Sequence, residues 1–205
     1  MQKTTILEMN RLTVEEFHHA EKTPLIVVLD DVRSLHNVGS VFRTADAFRL
    51  EAIYLCGITA TPDTVTDADG TVIKDCSLKA VQEIHKTALG AEESVDWRYF
   101  KSATDAVESL KKDGYTVMAV EQCHGSTMLQ DFVPACPATT QEGGGGKGYA
   151  VILGNEVKGV HQEVIDLCDG CLEIPQYGTK HSLNVSVTGG IIIWHFVQKL
   201  KSELK

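Results

Sequence analysis

Short apolar runs alternate along the chain with segments that have the 3.6-residue periodicity of amphipathic helices. The run Leu25–Leu29 is continuous, which is typical of a strand buried on both faces of a parallel sheet. Further strands are predicted at 51–56, 115–121, 150–153 and 171–174. Strands that alternate with helices in this way predict an α/β fold with a mostly parallel sheet flanked by helices.

The helices are predicted from their caps and from their periodicity. Thr13 opens a Thr-Val-Glu-Glu capping box for a short helix that extends to Ala20. Asn37 is interpreted as the N-cap of a helix over 38–48. Other helices are expected at 77–86, 103–112, between the last two strands, and at 184–200, with an interruption at Gly189–Gly190.

Two segments are predicted to be loops because of their composition. Residues 57–70 are rich in Thr, Asp and Pro, and residues 134–148 contain the tetraglycine Gly143–Gly146 before Lys147. The Gly-Lys pair does not form a P-loop, because Gln141 and Gly148 stand where that motif requires Gly and Ser or Thr. The segment also precedes a strand, so we interpret it as a surface loop.

The last third of the chain predicts a ligand site. The strand at 150–153 ends in Gly154-Asn155-Glu156, and the strand at 171–174 leads through Pro175 and a polar loop to Ser182-Leu183-Asn184. Both loops are rich in Gly, Asn and Ser and offer unpaired backbone amides. Ligands of open parallel sheets lie at the carboxyl ends of the strands. A small polar ligand is therefore expected between these loops.

Length and composition fit one domain that can bury most of its apolar surface, since the chain has 205 residues, 43% hydrophobic and 23% charged,. No apolar run is long enough to span a membrane, and no signal-peptide pattern opens the chain. We therefore expect a cytoplasmic protein without a membrane partner. The formal net charge is −9, so a surface that binds nucleic acid must be a local patch, or binding must rely on a dimer groove or a partner.

Two groups of potential metal ligands are present. Cys168 and Cys171 form a Cys-Asp-Gly-Cys pair, but a structural zinc site usually needs a second pair, for which only Cys123-His124 could be considered. The cysteines are interpreted as reduced thiols at a helix–turn–strand connection. Asp30-Asp31 could bind a metal or act in acid–base chemistry, but a capped turn at the strand end is preferred. No metal is expected.

Three motifs in a fixed order resemble those of one protein family. Asn37-Val38-Gly39-Ser40-Val41-Phe42-Arg43 follows the first strand and matches an Asn-x-Gly-x-x-x-Arg pattern. Two C-terminal patterns follow it: Gly154-Asn155-Glu156-x-x-Gly159, and then Ile174-Pro175-x-x-Gly178 with Ser182-Leu183-Asn184-Val185-Ser186-Val187. Over about residues 24–197 the chain resembles the SpoU (TrmH-like) family of RNA ribose 2′-O-methyltransferases in the SPOUT superfamily.

The resemblance implies a fold, a cofactor and partners. The fold would be a SPOUT-type α/β domain with a deep C-terminal trefoil knot, which periodicity does not reveal. The cofactor would be S-adenosylmethionine, and the substrate a ribose 2′-hydroxyl of tRNA or rRNA, methylated by a homodimer. By motif position, the implied cofactor-binding residues are Leu153, Gly154, Asn155, Glu156, Ile174, Pro175, Gln176, Gly178, Ser182, Leu183 and Asn184.

The same resemblance implies that Arg43, Asn37, Glu156, Ser182 and Asn184 are catalytic. A general-base role for Arg43 is physically strained, because a guanidinium is effectively never deprotonated. We expect Arg43 to bind the neighbouring phosphate in a bidentate manner and to stabilise the developing alkoxide. Asn37 is expected to orient Arg43 or the ribose, and Glu156 to hold Arg43 or a substrate hydrogen bond.

Two features of the sequence are each compatible with two roles. Gly39 permits the close approach of a ligand or of a neighbouring backbone. The apolar segment Ile191–Trp194 is consistent with a subunit interface or with the core.

The chain departs from the family at Val157, where Gly is common, and at Gln176, where Met is frequent; both departures bear on substrate choice more than on activity. One alternative function is a non-catalytic RNA-binding or ribosome-assembly protein that kept the fold. Another is a methyltransferase for a protein or small molecule. Residues 1–22 are predicted to be a helical extension of a single methyltransferase domain at 23–205.

Overall fold

The structure is a computed structural model that describes residues 2–5, 7–135 and 146–200. Its strands in chain order are β1 (Thr23–Asp30), β2 (Leu50–Cys56), β3 (Val65–Thr66), β4 (Val72–Lys74), β5 (Trp97–Phe100), β6 (Tyr115–Val120), β7 (Thr127–Met128), β8 (Gly148–Leu153) and β9 (Gly170–Glu173). Its helices are α1 (Val14–His19), α2 (Leu35–Ala47), α3 (Leu78–Ala88), α4 (Ala91–Ser94), α5 (Ala103–Lys112), α6 (Gln162–Ile165) and α7 (Val185–Leu200). Short 3-10 turns lie at Leu7–Met9 and Leu129–Asp131.

Seven strands form one sheet in the order β5-β2-β1-β8-β6-β9-β7, and every pairing in it is parallel. β3 and β4 form a separate antiparallel pair. The predicted α/β class with a mostly parallel sheet is therefore confirmed. In this order the end of β6 lies between the ends of β8 and β9, the two strands from which the ligand loops were predicted.

β1 shows how the continuous apolar runs are used. Its odd-numbered residues Leu25, Val27 and Leu29 pack into a core shared with α2, α3 and α7. Its even-numbered residues Ile26 and Val28 pack into a second core with α5 and the segment around α6. Because successive side chains of a strand point to opposite faces, a sheet covered by helices on both sides requires an apolar residue at each position.

The five predicted strands are all present, with ends that differ by one or two residues. The two short edge strands, β5 and β7, were not predicted from the sequence. The prediction that 57–70 is entirely a loop is wrong in part, because β3 lies within it and pairs with β4. Strands of two to four residues are too short to produce a readable alternation.

The capping box at Thr13 is confirmed: its backbone N–H donates to Glu16 Oε2 at 2.8 Å, and its Oγ1 accepts the Glu16 N–H at 3.2 Å. The prediction that Asn37 is an N-cap is wrong. α2 begins at Leu35, and the N-cap is Ser34, whose Oγ accepts the Asn37 N–H at 3.3 Å. The Asn37 side chain is thus released from capping and is available for other contacts.

The predicted interruption of the last helix is also wrong, since α7 is continuous through Gly189. A Cβ added to Gly189 would lie 3.1 Å from Leu153 Cδ1 and 3.6 Å from Val41 Cγ2. A Cβ added to Gly39 would overlap the Ile84 carbonyl oxygen and the Thr87 side chain, both in α3. Both glycines therefore serve close helix packing, and the approach at Gly39 is made by a neighbouring backbone.

The apolar segment in α7 and the loop before β8 were also subjects of prediction. The segment Ile191–Trp194 is divided: Ile192 and Ile193 are fully buried, whereas Ile191 is 37% and Trp194 50% exposed. Most of the predicted loop at 134–148 lies outside the described residues, and Gly148 begins β8. Among the described residues, no helix combines the length and the hydropathy needed to cross a bilayer. The domain boundary at residue 22 stays a prediction.

Candidate active site

A cavity of about 300 Å³ opens at the carboxyl edge of the sheet, a size at the lower end of small-molecule sites,. Three strand ends and the start of α7 form its wall. The lining residues are Val120, Glu121, Gln122, Leu153, Gly154, Asn155, Glu156, Val157, Lys158, Gly159, Glu173, Ile174, Gln176, His181, Ser182, Leu183, Val185 and Thr188.

The predicted cofactor-binding residues largely meet in this cavity. Of that set, only Pro175, Gly178 and Asn184 are not among the lining residues. The end of β6 also contributes to the cavity, through Glu121 and Gln122, and this contribution was not predicted from the sequence. A signal was present, because a polar pair directly after a buried strand marks the same edge of a parallel sheet.

The first wall of the cavity, Leu153–Val160, folds back on itself. Asn155 and Gly159 exchange backbone hydrogen bonds of 3.0 and 2.9 Å. The Asn155 Oδ1 accepts the Val157 N–H at 2.9 Å, and its Nδ2 donates to the Asp31 carbonyl at 2.7 Å. This wall therefore has a fixed backbone that is joined to the end of β1.

Two glycines make that fold possible. A Cβ at Gly154 would overlap the backbone of Gly159 and Val160. Gly159 has φ of +69° and lies against the Glu121 carboxylate, whose Oε2 accepts the Val160 N–H at 3.0 Å. The motif glycines are needed here for close packing of the loop and for a left-handed turn.

Glu156 joins the first wall to the start of α2. Its carboxylate accepts the Arg33 N–H at 3.0 Å, the Ser34 N–H at 2.9 Å and the Asn37 Nδ2–H at 3.1 Å. Partial burial opposes ionisation, but these hydrogen bonds outweigh it and hold the pKa of Glu156 below its ordinary value,. Glu156 is thus a carboxylate at neutral pH, and within the described residues it does not pair with Arg43.

Asn37 and Asn184 extend this network to α7. The Asn184 Nδ2–H donates to Asn37 Oδ1 at 3.1 Å. Asn184 Oδ1 accepts the Ser186 N–H at 2.9 Å, so Asn184 also caps α7,. One residue from each of the three sequence motifs therefore participates in a continuous chain, Glu156–Asn37–Asn184. The partners of Asn37 are these two side chains, and it does not contact Arg43 in the part of the chain that the structure describes.

The second wall, Ile174–Leu183, contains neither helix nor strand. Within the described residues, one hydrogen bond ties it to the rest of the protein, from Gln122 Nε2–H to the His181 carbonyl at 2.8 Å. Ser182 lies on this wall, and its side chain is exposed. Its hydroxyl makes no hydrogen bond to the described protein atoms and is available to a ligand.

Arg43 lies on the exposed side of α2, six residues after Asn37 on the same helix. In the described ranges its guanidinium forms no ion pair and no hydrogen bond. An arginine without a protein partner keeps all five N–H donors for an external anion. This observation fits the phosphate contact expected from its motif.

The charge of the cavity wall is negative. Three carboxylates line it, those of Glu121, Glu156 and Glu173, against the Lys158 ammonium and the His181 imidazole. Such a wall favours a ligand that carries positive charge.

The potential metal ligands contact protein atoms in the structure. Cys171 Sγ lies 3.2 Å from Cys123 Sγ, and Cys168 Sγ donates to the Val164 carbonyl at 3.2 Å. Burial raises the pKa of both Cys171 and Cys168, which keeps them as neutral thiols at neutral pH. Asp31 Oδ1 accepts the Ile58 N–H at 2.9 Å, which supports the capped-turn interpretation.

Asp30 lies next to Asp31 and is buried, and its Oδ2 is 3.0 Å from His161 Nδ1. Asp30, Asp31 and His161 each offer one atom that could bind a metal ion, and these three atoms lie within 4.8 Å of one another. Each carboxylate already accepts a backbone N–H, from His161 and Ile58 respectively. The Asp30 carboxylate therefore holds the backbone directly after the first wall, and the Asp31 carboxylate holds the turn after β2.

Comparison with known proteins agrees with this geometry. A relative from Staphylococcus haemolyticus, named for the TrmH family of tRNA/rRNA methyltransferases, is 27% identical over 175 residues, which are 85% of this chain and 58% of the relative. The 23S rRNA (guanosine-2′-O-)-methyltransferase RlmB of Neisseria meningitidis is 25% identical over 90% of this chain and 62% of its own length. The chain thus spans about 60% of the length of these relatives.

A solved structure has the same fold. The AdoMet-bound rRNA methyltransferase of Sinorhizobium meliloti superposes with a TM-score of 0.66 at 21% identity, over 94% of this chain and 60% of that one. The family model described as the SpoU rRNA Methylase family matches residues 63–194, which include both C-terminal motifs; the Asn37–Arg43 motif precedes the match. Since this match covers more than half of the chain, the protein belongs to the SpoU rRNA Methylase family.

Proposed function

We propose that this protein transfers a methyl group from S-adenosylmethionine to a ribose 2′-hydroxyl of tRNA or rRNA. The observation that carries the proposal is the cavity at the carboxyl edge of the sheet, where residues of both C-terminal family motifs line a single space. The naming of two relatives as RNA methyltransferases supports the substrate class.

The residues of the cavity fit the cofactor. Its backbone-rich first wall and small side chains can hold an adenine edge through amides and carbonyls, and its carboxylates suit a ligand with a sulfonium and an ammonium group,. Leu153, Gly154 and Asn155 on one wall, with Ile174, Gln176 and Leu183 on the other, would hold it. When bound, S-adenosylmethionine supplies an electrophilic methyl group.

Arg43 acts on the RNA in this proposal. Its guanidinium binds the phosphate beside the target ribose with two parallel N–H···O bonds. The same positive charge would stabilise the negative charge that develops on the 2′-oxygen as its proton leaves. The proton leaves to a phosphate oxygen or to water, because a guanidinium does not accept it.

The Glu156–Asn37–Asn184 chain has a positioning role. It fixes the first turn of α2 against the first wall and the start of α7. Because α2 is a continuous helix from Leu35 to Ala47, this anchor also sets where Arg43 stands relative to the cavity.

A homodimer is part of the proposal. Val187, Ile191 and Trp194 are exposed and recur at i, i+4 and i+7 on α7, so they share one face,. An apolar helix face of this kind is suited to a subunit interface. We expect Trp194→Glu to yield monomers by light scattering. Val72→Glu, an equally exposed apolar position on β4, serves as the control and should leave the mass unchanged.

The decisive experiment is methyl transfer from labelled S-adenosylmethionine to undermodified total RNA, with the tRNA and rRNA fractions separated. Label on ribose in one fraction supports the enzyme and identifies the substrate class. Arg43→Ala should lower kcat at least about 100-fold, and Arg43→Lys should not restore it, because Lys lacks the planar fork. Arg11→Ala is the matched control.

Two outcomes would contradict the proposal. No cofactor binding by calorimetry would favour an RNA-binding or assembly protein. Cofactor binding with transfer to a protein or small molecule and none to RNA would favour the other alternative. The trefoil knot and the cytoplasmic location stay predictions.

A further inference from the structure

Tyr177 is exposed to an unusual degree. Its accessible fraction is 94%, whereas Tyr54, Tyr115 and Tyr149 are below 10%. Within the described residues it makes no hydrogen bond and no ring contact. An aromatic ring held out in solvent is poorly used by the fold itself, and exposed aromatic rings are a common means of binding partners.

The ring lies beside the cavity mouth. Gln176, the residue before it, and His181, four residues after it, both line the cavity. Tyr177 is therefore held on a short segment whose two ends are cavity wall. The segment is tethered through Gln122 to the His181 carbonyl and is otherwise free of hydrogen bonds to the described protein, so it can adjust to a bound molecule.

The segment that carries Tyr177 contains no carboxylate, although Glu121, Glu156 and Glu173 line the adjoining cavity. Residues 174–184 contain no Asp or Glu, although the formal net charge of the protein is −9. Lys180 and His181 are exposed on the same segment, and Lys158 lines the opposite wall. An exposed aromatic ring next to basic side chains is the combination with which proteins bind unpaired nucleotides.

We propose that Tyr177 stacks on an unpaired base next to the ribose that enters the cavity. This inference rests on the proposed function, and it specifies that function by requiring a substrate nucleotide in a single-stranded loop or bulge. A ribose buried in a duplex cannot present its 2′-oxygen together with an open base face, whereas an unstacked nucleotide exposes both. Stacking is sequence-tolerant because every base has a π-face.

The test measures the rate of methyl transfer while the concentration of undermodified total RNA is varied at saturating S-adenosylmethionine. Tyr177→Ala should raise KM for RNA about tenfold or more, with kcat and the calorimetric Kd for S-adenosylmethionine near those of the wild type. Tyr177→Phe and Tyr177→Trp should retain a low KM, because both keep an aromatic face. Thr179→Ala, an exposed neighbour in the same segment, is the matched control and should resemble the wild type.

Three results would overturn the inference. The first is an unchanged KM in Tyr177→Ala, and the second is an equal rise in Tyr177→Phe, which would indicate a hydroxyl contact. The third is a monomeric Tyr177→Ala, which would place the ring in a subunit contact. If the wild type transfers no methyl group to RNA, the proposed function fails separately, and equal binding of the RNA by wild type and Tyr177→Ala in a filter assay then overturns the stacking role.

Discussion

The first wall of the cavity is held by hydrogen bonds from three neighbouring segments, whereas the second wall is tied to the described protein by one. Asn155 reaches the end of β1, Glu121 holds the Val160 N–H, and Glu156 binds the start of α2. Among the described residues the second wall has only the hydrogen bond between Gln122 and His181, and only Ile174 at its start packs against the core. One ligand site is therefore built from a wall that is already ordered and a wall that a ligand must order.

This difference separates stability from binding. Substitutions in the first wall remove contacts that exist without a ligand, so they should lower the free energy of unfolding. Substitutions at the exposed positions of the second wall, such as Gly178 and Ser182, remove contacts that form only with the ligand, so they should change affinity and leave the unfolding free energy nearly unchanged. Ordering a flexible segment costs binding free energy, and in return the segment adapts to its substrate.

A pair of glycine substitutions tests the comparison most severely. Gly154→Ala places a Cβ in the Gly159–Val160 backbone, which cannot move without breaking the loop. We expect the free energy of unfolding to fall by about 3 kcal/mol, measured by urea denaturation. At Gly178 an added Cβ meets no atom within 4 Å, so Gly178→Ala should stay within about 0.5 kcal/mol of the wild type.

Equal losses in Gly154→Ala and Gly178→Ala would show that the second wall is as tightly packed as the first. A well-tolerated Gly154→Ala would show that the first wall moves. Circular dichroism of both variants checks that the losses refer to the same fold.

Glu156→Ala should produce the next largest loss in the free energy of unfolding. It leaves three donors without their acceptor, on Arg33, Ser34 and Asn37. Because solvent reaches this site, we expect a loss of about 1–2 kcal/mol in unfolding free energy. Glu163→Ala removes an exposed carboxylate of α6 that makes no hydrogen bond to the described residues, and it should have almost no effect.

The pH dependence of this effect has a defined sign. The pKa of Glu156 is lowered in the folded protein, so its contribution is present above the unfolded pKa of about 4.3 and is lost as the pH falls through the folded value. The stability gap between wild type and Glu156→Gln should therefore be full at pH 7 and shrink in acid below pH about 4. A gap that widens in acid would contradict the assignment of Glu156 as a hydrogen-bonded carboxylate.

Asn184→Ala should produce the third largest loss in the free energy of unfolding, about 1 kcal/mol. The reason is that Asn184 caps α7 and also donates to Asn37. Asn184→Ser keeps a capping oxygen and loses mainly the donation to Asn37, so it should lose less than half as much in thermal or urea unfolding. If both variants lose equally, the bond to Asn37 carries the stability and the cap does not.

The strand pattern and the motif loops could be predicted from the sequence because they depend on local rules. Continuous apolar runs such as Leu25–Leu29 identified the buried strands, and Gly154-Asn155-Glu156 directly after one of them identified a ligand edge. Residues of the two C-terminal family motifs then proved to form most of the cavity lining. What these predictions share is that each rests on neighbours in sequence.

Contacts between distant segments could not be predicted in the same way. Asn37 has the residue type of an N-cap, but Ser34 captures that role and releases Asn37 to bridge Glu156 and Asn184. Gly189 has the composition of a helix break, but packing against Leu153 keeps it in a continuous α7. In both cases tertiary contacts override a local preference, and the strand order that inserts β6 into the cavity is likewise not readable from periodicity.

The last pair of substitutions concerns two serines that precede helices, Ser34 directly before α2 and Ser182 three residues before α7. Ser34 caps α2 beside the first wall, so Ser34→Ala should lower the unfolding free energy by about 1 kcal/mol,. The Ser182 hydroxyl has no partner in the described protein, so Ser182→Ala should stay within about 0.5 kcal/mol in unfolding. If that hydroxyl bonds the cofactor, the calorimetric Kd for S-adenosylmethionine should rise about 2- to 10-fold in Ser182→Ala. A loss of stability in Ser182→Ala equal to that in Ser34→Ala would mean that the second wall is ordered before any ligand arrives, and the contrast between the two walls would not hold.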